Sequence, residues 1–107
     1  MAVSDKPWSQ FKPADYGEPQ RYCYYSLIND NVVPKGEWVA EACKLPVYEP
    51  NGDLNRNAVH AAAAALAGAR GGVHSSPQAK RAAAKKLIRL YGRLKEPVPD
   101  SLRRIAG

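Results

Sequence analysis

The sequence predicts a mainly α fold: a small antiparallel helical hairpin wrapped by short helices and an extended N-terminal arm. Three observations carry that expectation. An alanine-rich segment, His60–Ala69, runs into Gly71-Gly72. A second segment opening at Ser75-Ser76-Pro77 keeps its apolar residues at helical spacing as far as Leu94. The first twenty positions mix Pro7, Pro13, Pro19 and Gly17 with Trp8, Phe11 and Tyr16, which breaks helices while offering bulky groups to bury.

Taken in chain order, residues 1–20 read as an arm and 21–107 as one helical domain. An arm with aromatics every few residues is expected to lie against something, and Trp8, Phe11 and Tyr16 are therefore candidate partner-binding residues. Pro19–Asn29 predicts a short helix, with Pro19 in its first turn and Asn29-Asp30-Asn31 as its stop. Pro34–Cys43 predicts a second helical turn with Trp38, Val39 and Ala42 on one side. Leu45-Pro46-Val47 is expected to be extended, because proline restricts the residue before it. Glu49-Pro50-Asn51-Gly52-Asp53 is turn chemistry.

Beyond the turn, Asn55 or Asn57 is expected to cap a helix reaching about Ala69, with Gly71-Gly72 as its end. Ser75 or Ser76 then caps a helix running to about Leu94, Pro77 standing in its first turn and Gln78 three residues beyond Ser75 as in a capping box. On that helix Ala79, Ala83, Leu87, Leu90, Tyr91 and Leu94 share one arc, and Leu66, Leu87, Leu90 and Leu94 are the expected core of the hairpin. After Pro97 and Pro99, Leu102 and Ile105 give one last helical turn.

With 107 residues the chain has room for one modest core, and alanine buries little area per residue. Cys23 and Cys43 form no CxxC, and His60 and His74 complete no zinc spacing, so no metal and no cofactor is expected. Two reduced, buried thiols are the favoured state, with a disulfide left open. No apolar run is long enough for a signal peptide or for the roughly twenty residues of a membrane span, so the protein is expected in the cytoplasm, with no membrane partner.

The formal net charge is +6, and its distribution is uneven. Residues 1–69 carry six Lys/Arg against eight Asp/Glu, whereas 70–107 carry ten against two. Within the basic part, Arg81, Lys85, Arg89 and Arg93 form an i, i+4 stripe beside the apolar arc. Such a stripe is a solvated face, an acidic-protein contact or a phosphate contact. Base-reading side chains beside it are few, Gln78 and Tyr91 only, which ranks nucleic acid below an acidic protein.

No enzymatic constellation appears. His60, with Asn55 and Asn57, reads as a structural polar cluster at a helix start, and Ser76, His74 and Asp53 make no triad that chance would not supply. Arg70-Gly71-Gly72 lacks both the repetition of an RGG element and the context of a phosphate loop. A non-enzymatic binding module with no small-molecule substrate is the expectation.

From Cys43 to Val73 the residues Leu45-Pro46-Val47, a turn, Leu54-Asn55-Arg56-Asn57-Ala58-Val59-His60, the alanine-rich run and Gly71-Gly72 precede a basic closing helix. This pattern, over roughly residues 20–95, resembles a small module of tailed bacteriophages and prophages that is attached to head-morphogenesis proteins such as head maturation proteases, or occurs free-standing. The resemblance implies a head-associated protein and brings no catalytic residue. With no protease domain in the chain, it implies a structural virion protein, a minor capsid, decoration or cementing protein. Its expected partners are the major capsid protein and further copies of itself, its expected locations the host cytoplasm during assembly and then the capsid. A small basic nucleic-acid-binding accessory protein is the alternative.

Overall fold

The computed structural model describes residues 2–107, and the side chains of all of these except Arg70. Helices take 54 % of the chain and strands 12 %, so the expected mainly α fold built on a helical hairpin is overturned in favour of four helices with small strand pairs and a disulfide. The order is β1 (Val3–Ser4), α1 (Pro19–Tyr24), β2 (Ser26–Asn29), β3 (Cys43–Pro46), β4 (Leu54–Asn55), α2 (Arg56–Leu66), α3 (Pro77–Leu94) and α4 (Asp100–Ala106). The chain gathers into two units, Met1–Ala58 and Val59–Gly107.

The first unit holds all the strands. β2 and β3 pair antiparallel, with Ser26 opposite Pro46 and Ile28 opposite Lys44, and β1 pairs parallel with β4, Val3 opposite Leu54. The helix expected over Pro19–Asn29 stops early. Ser26 Oγ donates back to Tyr22 O at 2.8 Å, and the next residues enter the β2–β3 ladder, which buries both Leu27 and Ile28. Tertiary pairing here outweighs a weak helical preference. The expected turn over Pro34–Cys43 is two separate 3-10 turns, Lys35–Glu37 and Ala40–Ala42. Within β3, Leu45 takes φ +61, a left-handed backbone unfavourable to a residue with a Cβ by about 1–2 kcal/mol, in place of the extended form that Pro46 would favour.

Cys23 and Cys43 are joined in a disulfide, which corrects the expectation of two thiols. The bond ties α1 to the start of β3, and both sulfurs lie in buried residues.

The first twenty residues are not the extended arm expected. After β1 they form 3-10 turns at Trp8–Gln10 and Pro13–Tyr16, and they are stitched to their own unit. Asp5 pairs with Arg56 at 2.7 Å, and Lys6 O accepts from Asn55 Nδ2 at 3.1 Å and Asn57 Nδ2 at 3.0 Å.

In the second unit α3 carries the apolar arc. Ala83, Ala84, Leu87, Leu90, Tyr91 and Leu94 are buried, as are Leu102 and Ala106 of α4. The helix packed most extensively on α3 is α4, not α2, which is why the hairpin reading fails. α2 ends at Leu66, three residues short of expectation, where Gly68 turns the backbone to φ +108, and the 3-10 turn Ala69–Gly71 separates it further from α3. The Pro97–Pro99 stretch instead returns the chain so that Leu102 meets the apolar arc of α3. The expected core residues Leu66, Leu87, Leu90 and Leu94 are all buried.

Candidate functional site

The candidate site is the basic face of α3. Ser76 Oγ accepts from Ala79 N at 3.1 Å and Pro77 occupies the first turn, so the helix starts where the serines and proline dictate. It ends in a Schellman turn, with Glu96 N bonded to Tyr91 O and Lys95 N to Gly92 O, both at 3.1 Å. Over the eighteen residues between these caps the 3.6-residue period separates two faces. Leu87 and its neighbours are buried, while Arg81, Lys85, Arg89 and Arg93 are all exposed, along with Lys86.

Little acid offsets these cations within the unit. Of its two carboxylate side chains, Glu96 bonds His60 Nε2 at 2.7 Å and Asp100 stands in the first turn of α4. α4 adds exposed Arg103 and Arg104 in its last turn, where they also suit the negative end of the helix dipole.

The other predicted residues are placed as follows. Trp8 and Phe11 are half-buried with their rings 5.6 Å apart, leaving part of each available. Tyr16 is 3 % exposed and belongs to its own unit's core: its hydroxyl donates to Tyr48 O and its ring meets Tyr22 edge-on at 5.2 Å. Burial pushes the Tyr16 phenol well above its usual range, reinforced by neighbouring Tyr22 and Glu49, and burial likewise raises Tyr22. Asn55 and Asn57 do converge, on Lys6 O, and Asn55 Oδ1 accepts from Ala58 N at 2.8 Å as the cap of α2. His60 takes separate partners: it bonds Glu96 and stacks on Tyr91 with ring centroids 5.9 Å apart.

One surface feature escaped the sequence reading. Between the bridged cysteines, Val32, Val33 and Val39 are exposed, Val32 at 98 %. Asn31 holds the base of this loop by a paired contact with Val39, Oδ1 accepting from its N at 3.0 Å and Nδ2 donating to its O at 3.2 Å, and Trp38 Nε1 donates to Val33 O at 3.2 Å. Two cysteines bracketing a valine-rich stretch with Pro34 and Gly36 were the available signal.

Among the described residues no group of three His, Cys, Asp or Glu side chains stands close enough to hold a metal ion, and no helix is long and apolar enough to cross a membrane. Compared with known protein families, with curated proteins and with solved structures, the chain matches none.

Proposed function

We propose that the chain is a non-enzymatic structural protein of a tailed-phage head, a minor capsid or decoration protein that docks on an acidic surface of the shell through the basic face of α3. The observation that carries the docking half of this reading is the exposed stripe Arg81, Lys85, Arg89 and Arg93 on a capped helix whose opposite face is buried. Like charges at i, i+4 disfavour an isolated helix by about 0.2–0.5 kcal/mol per pair, so an opposing acidic surface relieves a standing repulsion. The phage-head half rests on the resemblance over residues 20–95. A shell repeats one surface many times, so a modest interface gains by avidity wherever several copies are linked.

The test is co-sedimentation of the protein with intact particles of the phage that encodes it, across a salt series. Binding that weakens with salt, and weakens further in a Lys85→Gln, Arg89→Gln double variant, supports the reading. Absence from washed particles refutes it. Exposed Arg103 and Arg104 on α4 give the nucleic-acid alternative a second basic row. Retention on duplex DNA with log affinity falling linearly in log salt, at about −0.9 per phosphate contacted, would replace the shell with DNA as the partner.

A further inference from the structure

Within the second unit, the C-terminal end of α2 and one side of α4 enclose an open groove of about 320 Å³, lined by Leu66, Ala67, Ser101, Arg104 and Ile105. Three of its lining residues, Leu66, Ala67 and Ile105, are apolar, and two, Ser101 and Arg104, are polar. Among the described residues, neither the Arg104 guanidinium nor the Ser101 hydroxyl has a hydrogen-bond or ion-pair partner, although Asp100 lies only one turn before Arg104 on the same helix. A guanidinium with its donors unused, lining one groove together with a free hydroxyl and with leucine, alanine and isoleucine, presents two different demands. One is an apolar group to cover the apolar lining and the other is a planar anion for the fork of Arg104.

We propose that this groove receives a large apolar side chain from an acidic peptide segment of the partner protein, with a carboxylate of that segment meeting Arg104 and Ser101. The occupant follows from charge complementarity, since residues 70–107 carry ten Lys/Arg against two Asp/Glu and Arg103 adds a second exposed cation on α4. A nucleic-acid phosphate would satisfy Arg104 and leave the exposed Ala67 and half-buried Ile105 in water, whereas a leucine flanked by acidic residues satisfies both demands. The inference rests on the acidic-protein reading of α3 and narrows it: the stripe supplies attraction without sequence preference, and the groove selects which acidic segment stays bound.

Two fluorescent peptides decide it, Asp-Glu-Leu-Asp-Glu and Asp-Glu-Ser-Asp-Glu, titrated against the full chain labelled with ¹⁵N. The leucine peptide is expected to bind about tenfold tighter, the gain expected from burying one such side chain, and to shift the amides of Leu66, Ala67, Ser101 and Ile105. Arg104→Gln removes the anion contact and Ala67→Leu fills the groove from an exposed position without touching the core, and each should abolish that preference. Equal binding of the two peptides, no binding of either, or shifts confined to residues 81–93 would overturn the proposal. Particles separate the two readings. If the Ala67→Leu protein binds them as the parent does while the Lys85→Gln, Arg89→Gln protein does not, the groove is wrong and the stripe stands. If neither the parent nor any variant binds particles yet the leucine preference holds, the groove stands and the shell is wrong.

Discussion

Glu49, 1 % exposed, accepts a 2.8 Å hydrogen bond at Oε2 from Nδ2 of the fully buried Asn55. The same asparagine caps α2 through Ala58 N and holds the N-terminal segment through Lys6 O, so one amide joins the turn after β3, β4, α2 and the first residues. Both its amide nitrogen and its oxygen are engaged, and only the Lys6 O contact is shared, with Asn57. Asn55→Asp exchanges the donor facing Glu49 for a second oxygen and sets two carboxylates together in a dry site. It should cost at least about 3 kcal/mol, against roughly 2 kcal/mol for Asn55→Ala, which loses the cap and leaves Glu49 short of a partner. Urea unfolding of the two variants, with the aspartate variant recovering as pH falls from neutral toward the usual carboxylate range, is the check.

The Cys23–Cys43 bond joins residues twenty positions apart and thereby closes the segment that contains β2 and the valine-rich loop. Closing a loop of that length restricts the unfolded chain, and the expected contribution is about 3 kcal/mol. A Cys23→Ser, Cys43→Ser variant should lose close to that amount, and amide exchange should quicken most between Asp30 and Ala42, inside the segment that the bond closes. Exchange that quickens equally in α3 would show that the bond supports the whole chain rather than its own unit.

Much of the second unit was legible in the sequence, because its signals are local. Ser76 and Pro77 start α3, the apolar period fixes its buried arc, and glycines end α2, each within a few residues of the element it governs. What failed was the choice of partner for α3. Leu102, on a seven-residue helix, is buried as fully as any residue of α2, and no periodicity ranks a short amphipathic helix above a long alanine-rich one. In the first unit the signals are non-local. Ser26–Asn29 becomes a strand because Cys43–Pro46 lies beside it, and Tyr16 is buried because Tyr48 O waits for its hydroxyl thirty-two residues on. The exposed basic stripe was legible for the same reason as the arc, being the other face of one helix. The groove was not, since Leu66 and Arg104 meet only in the folded unit.

Tyr16 and Tyr22 hold their protons above the usual tyrosine value of 10.0 in the folded chain, mainly through burial. A raised folded pKa means that folding favours the protonated form. Their contribution is therefore complete below pH 10 and is lost as pH climbs from 10 toward the folded value. The first unit should accordingly unfold in alkali. Absorbance at the phenolate band should rise cooperatively with loss of the near-ultraviolet circular dichroism of the tyrosine cluster. Tyr16→Phe should flatten part of that dependence, at the expense of about 1 kcal/mol at neutral pH for the hydrogen bond lost from the Tyr16 hydroxyl.

Lys95 occupies the left-handed position that ends α3, at φ +58, and its side chain is exposed. Glycine is the residue best suited to this place in a Schellman turn, since it has no Cβ to oppose the following carbonyl. Lys95→Gly should raise stability by about 0.5–1 kcal/mol, or a few degrees in Tm, with Glu96 still positioned to bond His60. A fall in Tm would mean that the aliphatic stem of Lys95 contributes packing that its exposure conceals.

The stability of the basic stripe can be measured separately from its use. Arg81, Lys85, Arg89 and Arg93 stand at three successive i, i+4 steps on an exposed face, so every adjacent pair repels across one helical turn. Changing Lys85 and Arg89 to glutamine removes all three adjacent repulsions at once, because each step contains one of the two residues. Glutamine has nearly the helix propensity of lysine and arginine, so the electrostatic gain should appear almost undiluted, at about 1 kcal/mol in low salt. Salt already screens the parent's repulsion, and the difference between variant and parent should shrink as ionic strength rises toward 1 M, where the Debye length falls to about 3 Å. Thermal melts of parent and variant at low and high salt give both quantities. A variant that is less stable than the parent in low salt would mean that Lys85 or Arg89 is held by a carboxylate in the folded chain, and that these two residues stabilise the fold rather than serve a partner.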